Sequence, residues 1–317
     1  MSYSKVRSNQ RDLTTEQFVF WTPASEQTVK IGPDQTEVPL PGLPLPINRG
    51  DLADGSPSDS AIGQGVYDYL RQFPDCEHNR VYAELLRDSF PHLLSDLAAH
   101  AVMLDAKEVD PAYVLRKLTA LKILRLLEPD NKGLLHQISR GFYELALTLT
   151  ELPNCRRYLL EAMRAAHQLH KLDRDDLAVL QLLAEIDMLF CDYPSASRYW
   201  ERLRQSQEPQ LAQRAAHQLS VCQTRGMPER TRVDDLEDFG HALQLYGSGN
   251  YSLALSILER LEESPEFVEE FPSADFFYLL GMCRKQQQDR AGAFAALHRA
   301  LEIVPDYQPA SQSLDEL

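Results

Sequence analysis

Histidines, cysteines and clustered carboxylates are the side chains most able to do chemistry, and this chain groups few of them. His167 and His170 stand three apart, so on a helix they share a face and could ligate a metal ion. No acid or cysteine at matching spacing completes a ligand set, which reads them as surface histidines. Cys76-Glu77-His78 sets a thiol near an imidazole, but residues this close in sequence point in different directions, which argues against a nucleophile–base pair. Leu172-Asp173-Arg174-Asp175-Asp176 lacks the glycine and terminal glutamate of a calcium loop and reads as a helix cap. The sequence contains no GxxxxGK[ST] phosphate loop, GxSxG elbow, HExxH pair or Gly-rich dinucleotide turn. The expectation is no catalytic residue, no cofactor, no metal and no enzyme.

The chain has 317 residues and a net charge of −15, enough for two domains or one elongated one. The acidic balance argues against nucleic acid as the main partner. No apolar run approaches the roughly 18–20 residues that span a bilayer, so no membrane insertion is expected, and the first residues lack the apolar core of a secretory signal. The five cysteines (Cys76, Cys155, Cys191, Cys222, Cys283) are odd in number, scattered and without a CxxC. That pattern suits reduced thiols and a cytoplasmic protein. The charge is uneven. Asp234 to Asp275 holds eleven acids and one base, Arg260, whereas Arg116 to Lys171 holds ten bases and five acids. Solvated helix faces account for this, and so does an acidic end that receives a basic partner.

The elements that must carry any site are helices. From residue 61 onward apolar residues recur at helical spacing. Helices are predicted near 62–73, 79–89, 91–104, 111–127, 134–149, 156–172, 211–224, 236–247, 251–263, 275–286 and 290–303, with a further pair within 177–210 that turns at Cys191-Asp192-Tyr193. Asp110-Pro111 supplies a cap and a first-turn proline. Residues 1–60 differ: rich in Pro, Gly, Asp, Ser and Thr, they predict an irregular arm. Within it Phe18-Val19-Phe20-Trp21 is an apolar cluster, and the alternation of Pro with Val, Leu and Ile over Val38–Ile47 favours polyproline II. The arm either caps its own helices or docks a partner. Asn48-Arg49-Gly50-Asp51 reads as a turn.

The stretch ADFFYLLGMCRKQQQDRAGAFAALHRALEIVPD, Ala274–Asp306, carries the clearest pattern. Two short helices meet at a polar break, Gln287–Asp289. Gly281 and Ala293 face one another so that two backbones approach, Ala300 leaves room for the next hairpin, and Pro305 ends the second helix. This window resembles the tetratricopeptide repeat, a 34-residue pair of antiparallel helices. Phe277 stands at the family's first aromatic, Leu280-Gly281 at its Leu-Gly pair, Ala293, Leu297 and Ala300 at its second-helix positions, and Pro305 at the terminal proline. Arg284 replaces the usual tyrosine. Residues 177–210, with Ala184, Ala196, Trp200 and Leu203, and 235–268, with Gly249-Asn250-Tyr251 and Ala254, read as further repeats. Ala254 to Ala293 is 39 residues rather than 34, the excess being an acidic insert around 264–272. Residues 61–172 read as degenerate hairpins.

The resemblance implies an all-α, right-handed superhelical solenoid in three parts: arm 1–60, degenerate repeats 61–172, and repeats 173–317. It further implies a non-catalytic scaffold or adaptor that binds a partner segment in a concave groove lined by first helices. The family's carboxylate-gripping Lys, Asn and Arg are not matched here, where the positions hold Ala178, Gln181, Leu182, Glu185, Leu236, Phe239, Leu243, Tyr278 and Met282. Phe239, Leu243, Tyr246, Tyr278 and Met282 instead predict an apolar, aromatic groove suited to a basic or amphipathic protein segment. Homo-oligomers are compatible with it. Two alternatives stand: a dedicated assembly or secretion chaperone for one client, and an enzyme subunit, since Leu121–Arg140 resembles the hairpin repeats of prenyltransferase alpha subunits.

Overall fold

The computed structural model describes residues 15–31, 34–52, 55–103, 110–226 and 228–317. Leu104, the expected end of one helix, and the start of the arm lie outside them. Two compact units divide the chain: Asn9–Phe142 with Arg164–Arg174, and Tyr143–Met163 with Asp175–Leu317.

In the first unit, helices α1 (Asp59–Gln72), α2 (Asn79–Ser89), α3 (Pro91–Met103) and α4 (Pro111–Leu127) follow an arm that is not irregular. This corrects the sequence expectation. Phe18–Trp21 (β1) pairs antiparallel with Leu45–Asn48 (β4), in register Phe18↔Asn48 to Trp21↔Leu45. Thr28–Ile31 (β2) pairs with Thr36–Pro39 (β3). Both sheets have two strands, so every strand is an edge, and a proline there forfeits no ladder bond it needs. Burial decides the outcome over polyproline II. Phe18, Val29, Leu45 and Ile47 are all buried. Phe18 sets its ring edge-on to Tyr69 of α1, with centroids 5.2 Å apart, and the Tyr82 hydroxyl of α2 donates to the Pro44 carbonyl at 2.6 Å. A Cβ on Gly65 of α1 would sit 2.4 Å from the Pro46 carbonyl oxygen and 2.8 Å from Ile47 Cα, so glycine lets strand backbone lie against helix. Arg49–Asp51 forms a single 3-10 turn.

Helices α5 (Lys132–Ala146) and α6 (Cys155–Leu172) are shared between the units, and a 3-10 turn spans Leu149–Asn154. The second unit continues with α7 (Leu177–Leu189), α8 (Tyr193–Leu203), α9 (Pro209–Thr224), α10 (Arg232–Gly247), α11 (Tyr251–Glu262), α12 (Pro265–Glu270), α13 (Ala274–Gln286), α14 (Arg290–Ile303) and α15 (Gln308–Asp315). The repeated hairpins are α7–α8, α10–α11 and α13–α14. Short α12 occupies the acidic insert, and neither it nor α15 is visible in the apolar periodicity.

One turn closes all three hairpins. A left-handed residue, Cys191 (φ 57°), Gly249 (φ 82°) or Gln288 (φ 65°), precedes the cap of the second helix. Its N–H donates three residues back, to Met188, Tyr246 or Lys285. The cap's N–H donates five back, from Asp192 to Asp187 (2.8 Å), Asn250 to Leu245 (2.9 Å) and Asp289 to Arg284 (3.0 Å). This is a Schellman closure, which satisfies the carbonyls a helix end leaves open. The side chains of Asp192 and Asp289 then accept from Ser195 and Gly292 N–H. Counted from the cap, small residues sit at matched places: Ala184, Ala242 and Gly281 before it, and Ala196, Ala254 and Ala293 after it, all buried. Ala300 is buried too, while Pro305 lies exposed just beyond α14.

A Cβ on Gly281 would lie 2.8 Å from Leu297 Cγ and 3.2 Å from the Ala293 carbonyl oxygen. Gly281→Leu is therefore expected to lower stability by about 1–3 kcal/mol through overpacking. Gly247→Ala, whose Cβ meets nothing within 4 Å, is neutral or stabilising. Thermal melting of both variants checks this, and equal melting points would contradict the close packing. Gly65→Val should likewise displace β4, read as loss of Phe18 and Trp21 protection from the solvent while α13–α14 melt as before.

Candidate interaction site

Four of the five residues expected to line a groove lie on one surface feature. Phe239, Leu243 and Tyr246 on α10 and Tyr278 on α13 line a single crease, together with Leu149, Asp275 and Leu279. Their spacing on α10, at i, i+4 and i+7, puts them on one stripe. Phe239 is a floor residue, buried and edge-on to Phe276 of α13 at 5.4 Å. Leu243, Tyr246 and Tyr278 are half-buried and form the accessible rim. Met282, one turn beyond Tyr278, is half-buried and does not line the crease. The free space is about 10 Å³, room for a single water, far below the several hundred Å³ typical of small-molecule sites. Leu149 enters through the 3-10 turn, whereas the sequence reading made it the last residue of a helix over 134–149; that helix ends at Ala146.

The acidic run reads differently once folded. Arg156 of α6 takes Asp234 at 2.6 Å and Glu237 at 3.5 Å. Arg232 takes Asp235 and Glu270, each at 3.1 Å. Asp238 holds Arg230 and Arg260. Arg284 takes Glu262 at 2.6 Å and approaches Glu259, so the residue that departs from the repeat pattern joins α13 to α11. Seven of the eleven acids thus face these five arginines, four of which come from outside the run. The crease's one acid, Asp275, accepts from the Tyr307 hydroxyl at 2.6 Å.

No cluster of three His, Cys, Asp or Glu that could hold a metal occurs among the described residues. All five cysteines are free and four are buried. Burial pushes the Cys155 and Cys283 thiols up to about 12, which leaves them unreactive at neutral pH.

No protein-family model and no curated protein sequence matches the chain. Among solved structures it is similar to the crystal structure of a tetratricopeptide repeat protein from Parabacteroides merdae. That match covers 81% of this chain and 91% of the other, at 12% identity and a TM-score of 0.25. So low a score carries no argument, and the hairpins stand on the turns and contacts above. No helix among the described residues is long and apolar enough to cross a membrane.

One buried carboxyl titrates in the neutral range. Asp187 of α7 is 6% exposed. Desolvation first, and then the nearby Asp192, raise it to about 7, against a smaller opposing pull from Arg198. The folded state therefore holds a proton that the unfolded chain releases near pH 4. Its contribution is complete below that pH and is lost as pH rises to about 7. Asp187→Asn keeps the neutral form throughout. It is expected to match the parent in acid and to be the more stable above about pH 7, with a ceiling of about 4 kcal/mol. Denaturant unfolding across pH checks this; a difference that does not grow with pH would contradict it.

Proposed function

We propose that this chain is a non-catalytic interaction protein whose tetratricopeptide-like hairpins stack as a solenoid and hold a partner segment along the α10–α13 crease. The observation that carries the reading is the convergence of Leu243, Tyr246 and Tyr278 from two first helices on one apolar stripe. Tyrosine rims are common at recognition surfaces because they present large area at small entropic cost. The space is too tight for a substrate, so a partner lies along the stripe rather than plugging into it. The internal pairing of the acids on α10 and the capture of Asp275 by Tyr307 make this contact mainly apolar. An amphipathic segment, presenting apolar residues at helical spacing, suits it. A cytoplasmic adaptor is the role this reading assigns, in keeping with five free cysteines of which four are buried.

The test is co-purification with the full chain from its native source, comparing the parent with Leu243→Glu and Tyr278→Ala. Both positions are half-buried, so the variants are expected to stay folded by circular dichroism. The expected result is one or a few proteins retained by the parent and lost from both variants. The complex should change little between low and raised salt, because exposed charge contributes little to it. Retention unchanged by either variant, or a complex dissolved by salt, would move the site elsewhere.

A further inference from the structure

We propose that the insert between the second and third hairpins builds a second docking surface, which takes a partner-protein segment carrying an aliphatic side chain flanked by Lys or Arg. The surface is a trough of about 480 Å³, far roomier than the crease. Its floor is Phe277 of α13 and Ala296 of α14, both buried, and Val268 and Pro265 of α12 and the exposed Ala295 of α14 complete the apolar lining. Arg299 also lines it; its guanidinium carbon lies 6.0 Å from the Phe277 ring centroid, and its guanidinium donates to Glu302 at 2.7 Å. Glu262, paired with Arg284, and Glu269 of α12 line it as well.

Charge selects the occupant. Of the eleven acids between Asp234 and Asp275, seven are neutralised by arginine and Asp275 is held by Tyr307. The three that remain are Glu263, Glu266 and Glu269, on α12 and its approach. Glu263 and Glu269 form no ion pair among the described residues, and Glu266 accepts only from the Ser264 hydroxyl. Of these Glu269 lines the trough, and Glu263 and Glu266 stand on the same short stretch of chain. An apolar floor with unpaired Glu269 on its lining, and Glu263 and Glu266 on the same stretch of chain, favours an aliphatic anchor beside cations, through burial of the anchor and electrostatic complementarity at the rim. A second copy of this chain fits poorly, because its net charge of −15 brings like charge to those acids. The trough shares no lining residue with the crease, so the two surfaces stand or fall separately.

The experiment selects a phage-displayed random peptide library on the full chain, with counter-selection on Ala295→Trp, which fills the trough from an exposed position. The expected sequences carry Leu, Ile or Val flanked by Lys or Arg. A synthetic peptide of the enriched sequence should bind the parent, weaken about tenfold or more in Glu263→Lys/Glu266→Lys/Glu269→Lys and at raised salt, and be unaffected by Leu243→Glu. Circular dichroism confirms that both trough variants fold; the charge-reversed variant leaves the floor intact and reads those acids alone. Enrichment of acidic or uncharged sequences, no enrichment of the parent over Ala295→Trp, or loss of binding in Leu243→Glu instead would overturn the proposal. So would a dimer of the parent, seen by light scattering, that Ala295→Trp dissociates.

Discussion

Two short helices can form a hairpin only if their backbones come within reach and the chain reverses without stranding carbonyls. Both conditions are met here by recurring means. Ala184, Ala242 and Gly281 on first helices, and Ala196, Ala254 and Ala293 on second helices, keep the closest approach free of bulk. Larger residues one turn on, Trp200, Leu258 and Leu297, fill what remains and are buried to within about 1% of their surface. The same Schellman closure then ends the first helix of each pair. A hairpin alone leaves one apolar face bare, so the arrangement makes sense only when further helices cover it. Helix α9 does this for α8, with Ala215 and Cys222 in the same core as Trp200, and α13 does it for α11, through the Arg284 ion pairs as well as apolar contact.

Arginine distribution explains how an acidic chain tolerates its own charge. Asp234 and Glu237 stand in the first turns of α10, where the helix dipole favours anions, and Asp234 also completes a capping box with Thr231. Arg156 bridges both. Thr231 and Arg156 hold the Asp234 carboxyl below its ordinary value, against the opposing effect of desolvation. These pairs are partly exposed, so each adds little to stability. Their larger effect is on recognition: a surface that looks strongly acidic in one dimension presents much less free charge in three.

Much of the helical part was legible because its signals are local. Capping residues, small-residue spacing and the polar break at Gln287–Asp289 place α13 and α14 within a residue of their positions. The strands were not legible, because the signals that decide them are distant: Pro46 and Ile47 become strand residues by lying on Gly65 and pairing with Phe20 and Val19. Prolines at that density argue for polyproline II only when nothing buries the residues between them. The common turn was half legible. Gly249 announces a left-handed position, but Cys191 and Gln288 occupy the same conformation with side chains that seldom adopt it. Ala242 was missed for a similar reason, since His241 stands where the Leu of the Leu-Gly pair would mark its register. Of the groove, the stripe on α10 followed from the first-helix positions of the repeat resemblance, while Leu149 and the exclusion of Met282 depend on how turns and helices meet.

The short helix α12 is the departure with most consequence, and it is anchored rather than appended. Phe267 is 1% exposed and meets Phe276 at 5.4 Å, which in turn meets Phe239, so one aromatic row joins α12, α13 and α10. Arg232, 6% exposed, stands at the first position of α10, where the helix dipole opposes a cation. Asp235 answers it from the same helix and Glu270 from the end of α12, and Glu270 also takes Arg225. Removing the insert would leave a buried guanidinium with half its partners, a cost of several kcal/mol for an uncompensated charge. An insertion tied down by a buried ion pair and a core aromatic presents a fixed wall, and a fixed wall spares a docking surface the ordering cost that a loose loop would add.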